Sequence, residues 1–320
     1  MKLKLSKRYL IVVFLLIMVS ILSLSAGAVW IAPNQALKEM WTGENFILTE
    51  YRIPRMILGI VVGAALAISG AVIQGVIRNP LASPDVIGIT KGASLAAVIV
   101  IILFPKAPLY VLPFASFVGA VAISIILSLL ISYKGVKGSQ LALIGMAIGA
   151  IAMAIVQYLL IRNPMEANIA LVWLTGSLFG RTFDHVLVIL PWIIVAVPII
   201  LMYCRKLDLL DLGEDVATSL GTHVNRTKMI LLITAVMLAG ASISVVGGLS
   251  FLGLIAPHIA RSIVGHKHLH IVLMSGLIGG LLMVFSDGLA RAIAPPIDIP
   301  VGVLIAIIGA PYFLYVLRKI

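Results

Sequence analysis

Ionisable side chains within the apolar stretches of this chain are few, and they are the residues best placed to do chemistry. Asp287 is a carboxylate inside a predicted helix, and Arg291 follows it four residues later. Residues at positions i and i+4 are neighbours on a helix surface, so these two side chains can form an ion pair. The pair could act in gating, or it could be an ordinary helix pair near the membrane interface. The sequence does not favour either interpretation.

Three histidines form a second group. His266, His268 and His270 alternate along the chain just after a predicted helix end, and such a cluster can bind a transition metal. The neighbouring sequence offers no carboxylate or cysteine to complete a metal site, so we predict a solvated loop and no metal site. His258, which follows Pro257, is expected to shape a helix start.

Enzymatic chemistry finds little support in the sequence. No lysine follows a glycine, so the GKS or GKT core of a phosphate-binding loop is absent. The sequence also lacks an HExxH pair and any recognisable arrangement of a nucleophile with a base. The single cysteine, Cys204, excludes an intramolecular disulfide. We therefore predict no catalytic residue and no cofactor bound by this chain, and any ATP hydrolysis must come from a partner.

Composition indicates which elements position these residues. Hydrophobic residues make up 62% of the 320 residues and charged residues 11%, with a mean hydropathy of +1.19. A membrane span needs roughly 20 predominantly apolar residues, and the sequence divides into about ten such stretches. The predicted fold is therefore an all-α polytopic membrane protein. The predicted helices are 9–29, 54–77, 92–105, 111–132, 139–161, 185–204, 228–247, 254–264, 270–291 and 301–317.

Two of the predicted helices, 92–105 and 254–264, are short for membrane spans. Short or broken helices are tolerated at membrane depth where protein or a water-filled cavity covers their ends, so they indicate a pathway through the protein. Linkers and soluble domains are absent from the pattern, and we predict a single transmembrane domain over residues 1–320. The longest polar insertion, about 205–228, is too short for a catalytic domain.

Two glycine pairs have the spacing that permits close helix packing. Gly59 with Gly63, and Gly145 with Gly149, form GxxxG patterns inside predicted helices. Small residues at this spacing let two helix backbones approach each other, and we predict packing at these positions in preference to ligand binding.

The basic residues orient the chain in the membrane. The N-terminus is basic and leads into an apolar run that we interpret as an uncleaved first span. With the N-terminus in the cytoplasm, 16 of the 23 Lys and Arg residues fall on the inner side, so the positive-inside rule predicts that both termini are cytoplasmic. The outer side receives Lys38, Arg52, Arg55, Lys106, Arg162, Arg181 and Arg291. The net charge of +11 is spread over these short loops, which argues against nucleic-acid binding.

Several segments of the chain resemble one known family. Residues 52–93, RIPRMILGIVVGAALAISGAVIQGVIRNPLASPDVIGITKGA, closely resemble the signature region of the iron-siderophore, haem and cobalamin family of ABC importer permeases. Further segments agree, in the order that the family shows: WLTGS at 173–177, LGEDVATSLGTHV at 212–224, GGLSFLGLIAPHIARSIVGHKH at 247–268, and SGLIGGLLMVFSDGLARAIAPPIDIPVGVLIAIIGAPYFLYVL at 275–317. The resemblance covers essentially the whole chain.

The resemblance implies a ten-helix permease subunit that pairs with a second copy of itself, or with a paralogue, around a translocation path. Two cytoplasmic ATPase subunits, which bind ATP and magnesium, would drive transport. An extracytoplasmic substrate-binding protein would deliver the ligand. The expected location is a bacterial cytoplasmic membrane, in which the lipid bilayer surrounds the multi-pass subunit.

The resemblance also assigns a coupling role to one loop. In the family, the cytoplasmic loop between the sixth and seventh helices sits in a cleft of the ATPase. Glu214, Ala217, Leu220 and Gly221 match the pattern of that loop. A small alanine and a glycine suit a tight docking turn, and the alternative is a plain amphipathic loop.

Arginines on the outer face of family members form salt bridges with glutamates of the binding protein, and Arg52, Arg55 and Arg291 match those positions. Arginine can engage a carboxylate through two N–H groups, whereas the alternative is anchoring at the membrane interface. The sequence departs from the family pattern at Asp298, where a glutamate is expected, and this change could weaken a contact at the outer end. It also departs at Lys91, where a small polar residue is common, and the role of Lys91 stays open.

The resemblance favours iron(III)-siderophore complexes as the substrate because they are the broadest use of the family. Cobalamin and haem are the alternatives, since the expected path-lining residues are small and apolar and make no diagnostic contacts. A carrier driven by an ion gradient has less support, because such carriers usually hold more charge inside the membrane. A membrane receptor or structural protein without transport activity is a further alternative.

Overall fold

The computed structural model describes residues 4–108, 110–134 and 138–318, and every regular element in these ranges is helical. Within them lie the helices α1 (Leu5–Ser25), α2 (Pro33–Thr42), α3 (Ile53–Ile77), α4 (Ile89–Leu103), α5 (Val111–Lys134), α6 (Gly138–Arg162), α7 (Pro164–Thr175), α8 (Phe183–Asp211), α9 (Glu214–Ser219), α10 (Val224–Val246), α11 (Leu252–Val264), α12 (His268–Ile293) and α13 (Val301–Leu317). A π-helical segment, Ile47–Arg52, leads directly into α3.

Each of the predicted helices coincides with a helix of the structure, which confirms the all-α polytopic membrane fold. In the described part of the chain, six helices are long and apolar enough to cross a membrane, and four further apolar helices are shorter. The shorter ones include α4 and α11, the two that the sequence predicted to be short. The predicted cytoplasmic ends of the chain include residues 1–3 and 319–320, which lie outside the described residues.

The sequence missed two helices, α2 and α7, and placed one helix end seven residues too early. Both α2 and α7 begin at a proline in the first helical turn, where the missing N–H costs nothing. They are too short to register as spans of roughly 20 residues. The end of α8 was predicted at residue 204, but the helix continues to Asp211. The polar insertion at about 205–228 is therefore largely helical, containing the end of α8, all of α9 and the start of α10.

Close helix packing at the centre of the bundle depends on glycine. A Cβ atom added to Gly63 on α3 would overlap the carbonyl oxygen of Gly279 on α12. One added to Gly145 on α6 would lie 2.6 Å from the carbonyl oxygen of Ile87. Real Cβ atoms do not come so close. Helix α3 can therefore pack against α12, and α6 against the loop before α4, only because Gly63 and Gly145 have no side chain. The packing role predicted for the glycine pairs is confirmed at these positions.

The apolar side chains fall into an inner and an outer set. The helices α3, α10 and α12 are mostly buried, whereas α1, α6 and α8 expose most of their apolar residues. Exposed side chains such as Leu10, Phe14 and Ile161 would be unfavourable in water and suit contact with lipid chains.

The candidate functional residues lie at opposite ends of this bundle. The C-terminal ends of α1 and α12 meet the N-terminal end of α3 at one end, which we call the arginine end because Arg52, Arg55 and Arg291 lie there. The other end, which we call the α9 end, holds the C-terminal end of α8, all of α9 and the N-terminal ends of α10 and α12.

Candidate functional site

A buried ion-pair cluster joins α3 to α12 and to the loop before α13. Arg55 Nε and Nη2 donate to Asp287 Oδ1 at 2.9 and 2.7 Å. The same guanidinium donates to Asp298, with Nη1 at 2.5 Å from Oδ2 and Nη2 at 2.9 Å from Oδ1. Arg55 therefore engages two carboxylates at once, which the planar fork of arginine donors allows. The shorter Asp298, found where the family pattern has glutamate, still reaches this arginine.

Arg291 fastens α12 to the end of α1. Its Nη1 donates to Ala26 O at 2.9 Å, and its Nη2 donates to Ser23 O at 2.8 Å and to Ser23 Oγ at 2.7 Å. Its Nε lies 3.2 Å from Asp287 Oδ2. The ion pair predicted between Asp287 and Arg291 therefore forms, but it is buried and Arg55 is its third member, which the sequence did not indicate.

Arg52 lies against the C-terminal carbonyl groups of α1. Its Nη1 donates to Leu24 O at 2.6 Å and to Ser25 O at 3.2 Å, and its Nη2 donates to Val29 O at 2.5 Å. The last carbonyl groups of a helix have no partner within the helix and carry partial negative charge. Arg52 supplies both the missing donors and the compensating positive charge.

Burial changes how the predicted docking arginines are understood. Arg52, Arg55 and Arg291 are only 6%, 8% and 8% exposed. Their N–H groups are directed to carboxylates and carbonyl groups of this same chain, so the structure gives each of them an internal role. Docking of a binding protein at these arginines stays a prediction, and a docked carboxylate would have to enter a recess to reach them.

That recess is a cavity of about 260 Å³ at the arginine end. Its lining includes Arg52, Arg55, Arg181 and Arg291, and none of the described residues that line it is acidic. Arg181, to which the sequence alone assigns no role, follows α7 in the loop that leads to α8. The positive-inside pattern could have identified Arg181 as a candidate. It belongs to the same small set of basic residues on the predicted outer side as Arg52, Arg55 and Arg291.

The predicted coupling loop forms α9 at the opposite end of the bundle. Ala217 on α9 is buried, whereas Leu220, which directly follows α9, is 60% exposed. Glu214 accepts a hydrogen bond from Lys228 Nζ at 2.7 Å, which ties α9 to α10. Gly221 has a φ of +80°, a left-handed conformation that glycine adopts without strain. The four residues thus include a buried contact, an ion pair, an exposed apolar side chain and a turn.

Three exposed apolar side chains in α9 and directly beside it make up an apolar patch. Leu212, Val216 and Leu220 are spaced by four residues and are 63%, 44% and 60% exposed. Val216 and Leu220 are one helical turn apart, since Leu220 N donates to Val216 O, whereas Leu212 lies at the end of α8 and Gly213 separates it from α9. The patch lies on a segment with several charged residues, so it suits contact with another protein.

The prediction of a solvated loop is wrong for one of the three histidines. His268 is buried, and both its backbone N and its Nδ1 lie 2.8 Å from Asp208 Oδ1. The helical extension of α8 brings Asp208 to this position, and the sequence could not show it because 60 residues separate the two. Within the described ranges, no group of three or more His, Cys, Asp or Glu side chains could hold a metal ion.

Lys91, whose role the sequence left open, lies beside a buried carboxyl group. Burial raises the pKa of Asp85, while the positive charge of Lys91 and a hydrogen bond from Ser250 act in the opposite direction. The aliphatic part of Lys91 packs against Gly149, where an added Cβ would lie 2.6 Å from Lys91 Cδ. Lys91 therefore offers a counter-charge to Asp85 and fills space left by a glycine.

Three of the segments that carry the family resemblance meet at one backbone junction. Ser177 N donates to Val246 O at 2.8 Å, and Gly248 N donates to Trp173 O at 3.2 Å. Gly302 N donates to Gly176 O at 3.2 Å. The ends of α7, α10 and α13 thus satisfy one another where their own helical hydrogen bonds stop, as helix ends within a membrane protein require.

Comparisons with known proteins agree with this architecture. The sequence profile of the FecCD transport family matches residues 15–319. A Fe(3+)-citrate import system permease protein, YfmE of Bacillus subtilis, is 47% identical over 97% of this chain and 94% of its own length. The Fe(3+) dicitrate transport system permease protein FecD of Escherichia coli is 44% identical over 94% of each chain. A solved structure of a metal-chelate type ABC transporter in an inward-facing conformation has a TM-score of 0.84 and 28% identity, covering 97% of this chain and 98% of that one.

Proposed function

This chain belongs to the FecCD transport family and is a membrane-spanning permease subunit of an ABC importer, and we propose that its substrate is an iron(III)-siderophore complex of the citrate type. The observation that carries this substrate is the similarity, over nearly the whole chain, to two permeases named for iron(III) citrate. Citrate complexes carry negative charge from carboxylates, which suits the four arginines that line the cavity at the arginine end. Cobalamin and haem are the alternative substrates that the family resemblance leaves open.

The permease would work with separate partners. ATP hydrolysis belongs to two ATPase subunits, since permeases of this family leave it to a separate subunit and this sequence has no phosphate-binding loop. A second permease, identical or paralogous, would complete the translocation path, and residues 1–320 would form one transmembrane domain. The arginine end would face outward and the α9 end the cytoplasm of a bacterial cell, with both termini inside.

The α9 end would transmit the ATPase movement. Leu220 would insert into a cleft of the ATPase, while the buried Ala217 and the turn at Gly221 would fix the direction of α9. The ion pair between Glu214 and Lys228 would pass a displacement of α9 to α10, which is one of the central helices. Rigid helices that move as units are the usual means of such coupling.

The arginine end would receive the binding protein. Carboxylates of that protein would approach Arg52, Arg55 and Arg291 from the cavity side, competing with the internal partners of these arginines. Such competition would make docking able to weaken the link between Asp287 and Arg291. Asp287 and Arg291 join α12 to α3 and α1. Docking that weakens their ion pair would loosen these helices from one another, which is how the pair would act in gating.

Uptake measurements test this function directly. The gene would be deleted in a strain without redundant iron permeases and without ATP synthase, so that ATP and the ion gradient can be varied independently. Uptake of ⁵⁵Fe would be followed as citrate, hydroxamate and catecholate chelates, beside labelled cobalamin and haem. We expect loss of ferric citrate uptake alone, restored by the intact gene. Restored uptake should stop on ATP depletion and survive an uncoupler.

Other results would point to the alternatives. Loss of cobalamin or haem uptake with ferric citrate unchanged would reassign the substrate while keeping the importer. Uptake that survives ATP depletion and stops with the uncoupler would indicate an ion-gradient carrier. The buried carboxylate that such a carrier needs is unpromising here, since Asp287 is held by Arg55 and Arg291.

A further inference from the structure

Arg181 differs from the other three arginines of the cavity in its partners. Arg55 and Arg291 share the carboxylates of Asp287 and Asp298, and the N–H groups of Arg52 are directed to backbone carbonyl groups. For Arg181, the described residues supply neither a carboxylate nor a carbonyl oxygen within hydrogen-bond distance, and its buried Nε has no partner among them.

The one polar neighbour of the Arg181 side chain in the described part of the protein is His185. Arg181 Nη1 lies 3.2 Å from His185 Nε2. His185 Nδ1 lies 3.2 Å from the backbone N and 3.1 Å from Oγ1 of Thr182. A neutral imidazole brings no negative charge and offers at most one acceptor nitrogen, so His185 can satisfy no more than one of the N–H donors of Arg181. Among the described residues, Arg181 therefore has no carboxylate partner, and its buried Nε has no acceptor.

A buried guanidinium without a carboxylate partner, such as that of Arg181, is a favourable place for an anion to bind. Buried charged donors in proteins are almost always paired, because an unpaired one loses its hydration without compensation. Among the described residues, the four arginines of the cavity are balanced by only two bonded carboxylates, those of Asp287 and Asp298. The excess positive charge faces an open cavity, so a negatively charged group entering it would be attracted over several ångströms.

The size of the cavity limits what can enter. Its volume of about 260 Å³ is below the roughly 300–1,000 Å³ of pockets that enclose a whole drug-sized ligand. One carboxylate arm fits this space better than a complete chelate does. Arg181 is also recessed, so an arm of a diffusing molecule reaches it more easily than a side chain fixed on a folded partner.

On this basis we infer that Arg181 binds a carboxylate group of the transported chelate as the chelate leaves the binding protein. This inference rests on the proposed function and adds a specificity-determining residue to it. Arg181 would favour chelates with free carboxylates over neutral ones. The three other arginines would supply attraction while keeping their internal partners.

A cysteine reporter tests the inference without transport. Phe179 lines the cavity and is 69% exposed, and the native Cys204 is 1% exposed and will not compete for reagent. The Phe179→Cys variant of the assembled transporter, in nanodiscs, would be labelled with an anionic and a cationic methanethiosulfonate of similar size. We expect faster labelling by the anionic reagent, and slower labelling when iron-free citrate is added.

Matched variants identify the residue responsible. Adding Arg181→Gln should reduce the preference for the anionic reagent and weaken citrate protection about tenfold or more, as expected for loss of a hydrogen bond to a charged group. Arg181→Lys should retain part of the preference. Arg162→Gln, at an exposed arginine that does not line the cavity, should change neither result.

The outcomes separate this inference from the proposed function. Citrate protection that is the same with Arg181 intact and in the Arg181→Gln variant, or absent in both, would overturn the inference. Protection by the binding protein alone, together with weaker binding-protein affinity in the Arg181→Gln variant, would also overturn it by assigning the carboxylate to the partner. Protection by citrate that depends on Arg181 would support the carboxylate site, whichever chelate the uptake measurements identify.

Discussion

Arg55 and Asp287 form a buried two-point contact, with Arg55 Nε and Nη2 at 2.9 and 2.7 Å from Asp287 Oδ1. This contact joins the start of α3 to the end of α12, two helices that also pack closely at Gly63 and Gly279. The cluster holds two arginines and two aspartates, Arg55, Arg291, Asp287 and Asp298, so removing only one member leaves an unbalanced buried charge.

Removing one partner should therefore cost more than removing both. We expect Asp287→Leu or Arg55→Met alone to lower the stability of the permease by about 3–5 kcal/mol, and the double variant to lower it less than either single one. Thermal unfolding of the purified protein in detergent measures this effect. Glu50→Gln, at an exposed residue of the π-helical segment, is the control. Additive effects in the double variant would contradict the prediction.

Asp298 should be less critical than Asp287, although both bind Arg55. The side chain of Asp298 is 18% exposed and that of Asp287 is 2% exposed, so water can replace part of the lost interaction at Asp298. We expect Asp298→Asn to cost about 1 kcal/mol or less, measured by the same unfolding assay beside Asp287→Asn. Asp298→Glu should be tolerated, since glutamate is the residue expected from the family pattern. Equal losses for the two asparagine variants would contradict this ranking.

The exposed leucine of α9 should matter for assembly and not for folding. Leu220→Asp removes an apolar side chain that is 60% exposed, so stability should change by about 0.5 kcal/mol or less. The variant should fail to co-purify with its ATPase, because a carboxylate would enter an apolar contact unpaired. Ser219→Asp, on the neighbouring exposed position, is the matched control. Normal co-purification of the Leu220→Asp variant would remove support for coupling at this residue.

Gly63 should tolerate no side chain. A Cβ at this position would overlap a backbone carbonyl oxygen on α12, and the backbone can move only by separating the two helices. We expect Gly63→Ala to cost about 1–3 kcal/mol. Gly276→Ala is the control on α12, because its Cβ would be 3.2 Å from the flexible end of Ile68. Thermal unfolding that ranks Gly276→Ala as the more damaging change would contradict the packing argument.

His268 should act as a structural link at the α9 end. His268→Phe keeps the apolar volume but removes the Nδ1 hydrogen bond to Asp208, and we expect a loss of about 1–3 kcal/mol. Limited proteolysis between α8 and α9 should become faster in the same variant. His266→Phe alters an exposed side chain and should leave both measurements unchanged. Equal proteolysis rates for the two variants would show that the link to Asp208 carries no stability.

The sequence by itself determined the class of the protein and its helices. Lipid as the solvent demands long apolar runs with paired backbone groups, and such runs are visible without any knowledge of contacts. Helices shorter than a span, such as α7 and α9, escaped this argument because their length is set by what they pack against. The four-residue spacing of Asp287 and Arg291 was likewise readable, since it depends only on helix geometry.

Only the tertiary structure decided where each arginine directs its charge. Arg55 and Asp287 are 232 residues apart in the sequence, and Arg291 and Ser23 are 268 apart. Nothing in the spacing of such residues predicts their contact, because it arises from the packing of whole helices. The three arginines predicted to dock a binding protein are buried against partners in their own chain. Arg181, to which the sequence assigned no role, lines the cavity without a carboxylate partner among the described residues.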